Sequence, residues 1–203
     1  MYHVARAVLL PFFLVYFRLD RRGRDYGKAK GGIVVAANHR SFLDPFAVGA
    51  CLPWRRPMNY MAKVELFERR WQGWLLSRLG AFPVRRGESD EESMLTARMI
   101  AERGGAVCVF PEGTRIRRGT LAEPRRGVGR LALQTGAVVV PTAVLGTEHV
   151  RRGWRIRPRK VRVRLGQGRP AGGSRGAASP ARPGSPRRAG PGGRRRGRRG
   201  GRP

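Results

Sequence analysis

Apolar positions along the chain fall into short blocks that alternate between two periods. Residues 32–37, Gly-Ile-Val-Val-Ala-Ala, make a brief apolar run with β-branched residues after a glycine pair, which predicts a buried strand. Similar runs at 58–62, 81–84, 106–110 and 137–144 predict further strands, the one at 106–110 broken by Pro111. Between them the spacing changes to that of helices. Phe67, Trp71, Trp74, Leu75 and Leu79 share one face of a helix over 67–79, where the two tryptophans read as core or membrane-facing packing. Ser89-Asp-Glu-Glu92 reads as a capping box that opens a helix ending at Gly104-Gly105. A helix over 127–135 stops at Gly136, and the alternation of apolar residues with arginine over 161–165 suits an edge strand. Strands alternating with helices predict an α/β layered fold, with a central, mostly buried mixed sheet flanked by helices.

The two ends of the chain depart from this pattern. Residues 7–17 form an eleven-residue apolar run, interrupted by Pro11 and followed by the basic stretch from Arg18 to Arg24. It is too short to span a bilayer as a straight helix, and it ends in no small-residue cleavage site. Two readings stay open: a helix lying in the membrane interface with its arginines on lipid head groups, or a core helix interrupted by Pro11. Residues 171–203 use only Ala, Gly, Pro, Arg and Ser. Such a segment cannot bury enough apolar surface to offset its ordering entropy, so a disordered basic tail is expected. The expected organisation is an interfacial segment over 1–24, a folded domain over 25–170 and the tail over 171–203.

Charge and cysteine content narrow the classes. The net charge is +30, of which the tail supplies ten arginines, so residues 1–170 still carry +20. An anionic partner is compatible with that charge, whether lipid, phosphorylated substrate or nucleic acid. Of the 43 basic residues 39 are Arg, a skew that a GC-rich coding sequence also produces, so charge alone does not choose among them. Cys51 and Cys108 are too few for a disulfide framework and too widely spaced for a Cys-x-x-Cys zinc site. The pattern is that of a reduced, intracellular chain.

Two segments carry candidate chemistry, and each directly follows a predicted buried strand. Asn38-His39-Arg40-Ser41-Phe42-Leu43-Asp44-Pro45 puts a histidine where α/β sheets form their crevice. An imidazole with a carboxylate to orient it makes a general base. Asp44 either returns to the His39 ring or simply caps the helix that Pro45 opens, leaving His39 a loop histidine. The second segment, Phe110-Pro111-Glu112-Gly113-Thr114-Arg115, offers a tight turn at Gly113 whose N–H groups can face an anion, plus the guanidinium fork of Arg115. An ordinary turn with solvated polar residues is the alternative. Neither cysteine lies in these segments, and His149 reads as a surface histidine.

Taken together, the two segments resemble the glycerolipid acyltransferase family, and more narrowly the bacterial 1-acyl-glycerol-3-phosphate acyltransferases. Two weaker blocks fall in the family's order: Gly80-Ala-Phe-Pro-Val-Arg85-Arg86, and Val140-Pro-Thr-Ala-Val-Leu-Gly146. The resemblance implies that His39 is the general base, oriented by Asp44. It further implies that Arg85, Arg86, Glu112, Gly113, Thr114 and Arg115 hold a phosphate-bearing acceptor. The implied reaction moves a fatty acyl group from acyl-CoA or acyl-carrier protein to 1-acyl-glycerol-3-phosphate (lysophosphatidic acid), giving phosphatidic acid. It needs no metal or resident cofactor. The implied location is the cytoplasmic face of the membrane, peripheral or monotopic, against anionic lipids. Glycerol-3-phosphate or another lysolipid is the alternative acceptor. The rival class is a basic nucleic-acid-binding protein; no recognisable reading motif supports it, and no specific nucleic acid is expected.

Overall fold

The apolar run at 33–37 becomes a strand because both of its faces are covered. The structure, a computed structural model, describes residues 1–85, 90–116, 122–152 and 154–171. Arg86, Ser89 and the segment 172–203, read above as a disordered tail, lie outside the described residues. In chain order the elements are α1 (Tyr2–Val15), β1 (Asp20–Arg22), β2 (Ile33–Ala37), α2 (Asp44–Gly49), β3 (Met58–Lys63), α3 (Arg70–Arg78), β4 (Ala81–Val84) and α4 (Glu91–Glu102). They continue with β5 (Ala106–Val109), α5 (Gly127–Thr135), β6 (Val138–Leu145), the paired β7 (Arg151–Arg152) and β8 (Arg155–Ile156), β9 (Arg162–Leu165) and β10 (Arg169–Pro170).

The main sheet runs β1-β9-β6-β2-β5-β3-β4, with β10 also pairing to β6. Strands β2 to β6 are mutually parallel, whereas β9 and β10 run antiparallel to β6. Side chains alternate across β2, as strand geometry demands. Ile33, Val35 and Ala37 enter one core with Phe13, Phe17, Val48 and Leu52 of the α1–α2 side. Val34 enters the other with Ala97, Ala101 and Leu131 of α4 and α5. The result is the layered mixed sheet that the sequence predicts.

Four expectations change. The segment 161–165 is not at an edge, because β1 pairs parallel with β9 and covers it. The helix over 67–79 begins only at Arg70, since Val64–Phe67 forms a separate 3-10 turn and Arg69 is extended. Its tryptophans are not core: Trp71 and Trp74 are 65% and 54% exposed. Finally, the cap of α4 is Asp90. The Asp90 carboxylate accepts the N–H groups of Ser93 (3.0 Å) and Arg85 (2.5 Å), which hold its carboxyl below the usual carboxylate range.

Helix α1 packs one side into the core and leaves apolar residues exposed on the other. It passes through Pro11 without ending, buries Phe13 and Arg6 on one side, and leaves Val4, Val8, Phe12 and Val15 exposed on the other. Among the described residues no helix is long and apolar enough to cross a membrane.

Close approach of α4 to β2 depends on Gly32, where an added Cβ would stand 2.1 Å from the Ala101 carbonyl oxygen. At Gly129 in α5 an added Cβ would meet nothing within 4 Å. The two glycines therefore predict opposite signs. Gly32→Ala should destabilise the domain by about 2 kcal/mol or more through overpacking. Gly129→Ala should stabilise it by up to about 1 kcal/mol through helix propensity. Urea midpoints of the two variants check both, and a Gly32→Ala midpoint equal to wild type would contradict the packing described here.

Candidate active site

Three parallel strands deliver their following loops to one rim of the sheet: β2 to His39, β5 to Phe110–Arg115 and β6 to Thr147. Asp44 binds two of these loops together. Its side chain is fully buried, so the carboxylate must find donors inside the protein. Oδ2 faces His39 Nδ1 at 3.0 Å and accepts the backbone N–H groups of Arg40 and Ser41, each at 2.6 Å. Oδ1 accepts the Thr147 hydroxyl at 2.5 Å, from a residue itself 1% exposed. Of the two sequence readings, Asp44 returns to the ring. It is the first residue of α2, behind an N-cap at Leu43, and its side chain points back into the preceding loop instead of capping the helix.

His39 is fixed from three further directions. Its ring stacks on Phe110, with centroids 4.1 Å apart and planes at 21°. Its backbone N–H donates to Glu112 Oε2 at 3.1 Å, and its carbonyl accepts the Ile116 N–H at 2.8 Å. Glu112 is thus buried and engaged with the backbone, which makes it a tie between the β2 and β5 loops. Asn38 ties β2 to β6 in the same way: its side-chain amide donates to the Val144 carbonyl (2.9 Å) and accepts the Val144 N–H (2.7 Å). With Nδ1 donating to Asp44, Nε2 of His39 is left as the basic nitrogen.

Two concavities meet at His39. One is an apolar cavity of about 360 Å³ between α1, α2, β3 and α3, with walls that include Leu9, Leu10, Phe46, Leu66, Leu76 and Leu79. Arg115 and Lys63 also line it. The other, about 170 Å³, lies beyond Phe110 and is lined by Arg85, Asp90, Gly113 and Arg125. The predicted substrate-binding residues therefore divide. Arg115 shares the apolar cavity with His39, while Arg85 and Gly113 border the second cleft, whose walls also include Met61, Val84 and Met94; Thr114 is exposed.

Gly113 has φ +70°, so the turn needs glycine for its backbone, and the Arg125 guanidinium packs beside it, with Nε 2.7 Å from where a Cβ would stand. Arg125 and Thr147 were not legible as site residues. Arg125 sits in an arginine pair that reads as solvated surface, and Thr147 stands 103 positions from the carboxylate it contacts.

The site places a carboxylate-oriented histidine where an apolar cavity meets a second cleft bordered by Arg85 and Arg125, on a layered α/β sheet. The family follows: residues 18–145 match the acyltransferase family model, and the chain belongs to that family. Among its relatives, the 1-acyl-sn-glycerol-3-phosphate acyltransferase of Bacillus subtilis is 34% identical over 58% of this chain and 58% of its own. The chloroplastic 1-acyl-sn-glycerol-3-phosphate acyltransferase LPAT1 of Arabidopsis thaliana is 31% identical over 56% of this chain and 32% of its own. The lyso-ornithine lipid O-acyltransferase of Pseudomonas aeruginosa is 36% identical over 53% and 41%. The match with these three spans less than two thirds of their length. The fold is also that of the 1-acyl-sn-glycerophosphate (LPA) acyltransferase PlsC from Thermotoga maritima, with a TM-score of 0.64 over 84% of this chain and 73% of that one, at 22% identity.

Both cysteines are buried among apolar groups. Burial pushes the Cys51 thiol up to about 12 and the Cys108 thiol higher still. Neither is expected to react with iodoacetamide in the folded chain at mildly alkaline pH, and both should react once the chain is denatured. Mass spectrometry of the two samples checks this, and rapid labelling of native Cys108 would contradict its burial.

Proposed function

We propose that the chain is an O-acyltransferase that moves a fatty acyl group from acyl-CoA or acyl-carrier protein to the free hydroxyl of 1-acyl-glycerol-3-phosphate, giving phosphatidic acid for phospholipid synthesis. The observation that carries this reading is the His39–Asp44 pair, held at 3.0 Å where the apolar cavity meets the arginine-bearing cleft. An acyl chain fits the apolar walls, and a phosphate suits Arg115, Arg85 and Arg125. The names of the Bacillus subtilis and Arabidopsis thaliana relatives point to the same acceptor.

In this mechanism His39 Nε2 takes the proton of the acceptor hydroxyl as its oxygen attacks the thioester carbonyl. Asp44 stabilises the imidazolium that forms. Collapse of the tetrahedral intermediate breaks the carbon–sulfur bond, and the departing thiolate recovers the proton from Nε2. No acyl-enzyme is formed. The thioester is already activated, so positioning and a base carry the catalysis. Glu112 and Thr147 act as positioning residues, through the backbone of His39 and the carboxylate of Asp44.

The enzyme works at the cytoplasmic face of the membrane in this proposal, as a peripheral or monotopic protein on anionic lipid. The exposed Val4, Val8, Trp71 and Trp74 belong to the same two helices, α1 and α3, whose other residues line the apolar cavity. A lyso-ornithine lipid is the second acceptor to test, given the Pseudomonas aeruginosa relative.

Acyl transfer from labelled acyl-CoA and acyl-carrier protein to lysophosphatidic acid and to lyso-ornithine lipid tests the reading. His39→Ala should lower turnover by about 10²–10⁴-fold while leaving the circular dichroism spectrum unchanged. Substantial residual turnover would remove His39 from the role of base. In the same assay Thr147→Val should lower kcat by about tenfold with the acceptor KM held, and Thr147→Ser should recover it. Equal loss in the Ser variant would reduce Thr147 to a packing residue.

A further inference from the structure

Outside the dyad and its two concavities, the rim carries a third: an open cleft of about 560 Å³ lined by Gly146, Glu148, His149, Arg151, Arg157, Arg159 and Lys160. Its position follows from topology. β9 runs antiparallel to β6, with Leu145 opposite Arg162, so the segment entering β9 returns to the rim where β6 ends. Strands in a sheet lie about 4.8 Å apart, and β6 neighbours β2, which places the cleft one to two strand spacings from the strand bearing His39.

The cleft is built and held. Gly146 has φ +92°, and an added Cβ there would meet the Lys160 carbonyl oxygen at 2.3 Å, so the β6 turn and the 157–160 segment are in close contact. Arg157 donates its backbone N–H to the Val150 carbonyl at 2.7 Å, and Val161 donates to Phe17 at 3.0 Å, fixing both ends of that segment. Four permanent cations line the cleft against one carboxylate. That carboxylate, Glu148, turns inward: Oε2 accepts the Gly146 N–H at 2.9 Å, and Oε1 lies 3.7 Å from His149 Nε2. The concavity therefore concentrates positive potential, and three of its four cations are arginines, whose planar forks match phosphate oxygens. The same turn sends Thr147 to Asp44, so one short segment contacts both the cleft and the acid behind the base.

We infer that this cleft binds the phosphate groups of the acyl donor, the pyrophosphate and phosphomonoester of CoA or the phosphodiester of a carrier-bound pantetheine. The inference rests on the acyl-transfer reading above. The pantetheine arm then extends from the cleft along the rim and presents its thioester to the acceptor at His39. Donor phosphate and acceptor phosphate are recognised separately, the first by the Arg157–Lys160 segment and the second by the arginines around Phe110.

The test uses the full chain and two charge reversals at exposed positions, Arg159→Glu and Lys160→Glu, combined in one variant. With acyl-CoA the variant should raise the donor KM by about tenfold or more, the scale of lost charge-assisted contacts, leaving kcat and the acceptor KM unchanged. With acyl-pantetheine, which has no phosphate, wild type and variant should be equal. Acyl-carrier protein run in parallel shows whether a single phosphodiester is enough to register the same shift. An equal effect on acyl-pantetheine, or none on acyl-CoA, overturns the inference while leaving acyl transfer intact. Weaker binding of the variant to phosphatidylglycerol vesicles with an unchanged acyl-CoA KM overturns it in favour of a lipid phosphate. Should wild type transfer from no donor, the acyl-transfer reading fails. Calorimetric titration with CoA then decides the cleft alone: binding that is lost in the variant supports a phosphate site, and no binding by wild type removes it.

Discussion

A carboxylate with no exposure to water is the constraint on which the rim of this sheet depends. An unpaired buried charge is among the most costly things a fold can contain, and Asp44 avoids that cost only because three donors reach one oxygen and a fourth reaches the other. Those donors come from the loops after β2 and β6, so satisfying the charge brings the ends of two strands into register. Glu112 does the same for the β5 loop through the His39 N–H. The orientation of His39 and the closure of the loops are then one problem with one solution. Displacing the histidine removes one of the four donors that hold this charge.

The sheet below serves this arrangement by being rigid where it matters. Its central strand is packed on both faces, with separate clusters from α1 and α2 on one side and α4 and α5 on the other. Ring stacking by Phe110 then limits rotation of the one side chain that needs a fixed direction. The antiparallel β9 adds something the parallel strands do not: it returns chain to the rim instead of leading chain away from it. Basic residues from the end of the domain are thereby brought to the same rim of the sheet as the loops after β2 and β5.

Much of this was legible in the sequence, for physical reasons that differ by element. Buried strands such as 33–37 and 106–109 announce themselves because two-sided burial demands continuous apolar residues. The His39–Asp44 spacing was legible as a possibility, but spacing does not say which way a carboxylate turns; that depends on the N–H groups of Arg40 and Ser41. The segment 161–165 looked like an edge because its alternate arginines suit an exposed border, and the short polar strand that covers it, Asp-Arg-Arg, has no apolar signal at all. Trp71 and Trp74 were ambiguous because helical spacing is the same for a stripe facing a core and one facing outward. Contacts such as Thr147 to Asp44 join residues far apart in the chain and leave no local mark.

The first helix has two masters. Its residues Tyr2, Ala5, Arg6, Leu9 and Leu10 line the apolar chamber, while Val4, Val8 and Val15 look outward. A shortened chain that begins after residue 17 would therefore lose a wall along with its greasy exterior, leaving an open trough in place of a chamber. The chamber wall and the exposed apolar surface are written on opposite sides of the same fourteen residues. Substitutions meant to adjust one should be confined to its own side, because Pro11 has not divided the helix into separable halves.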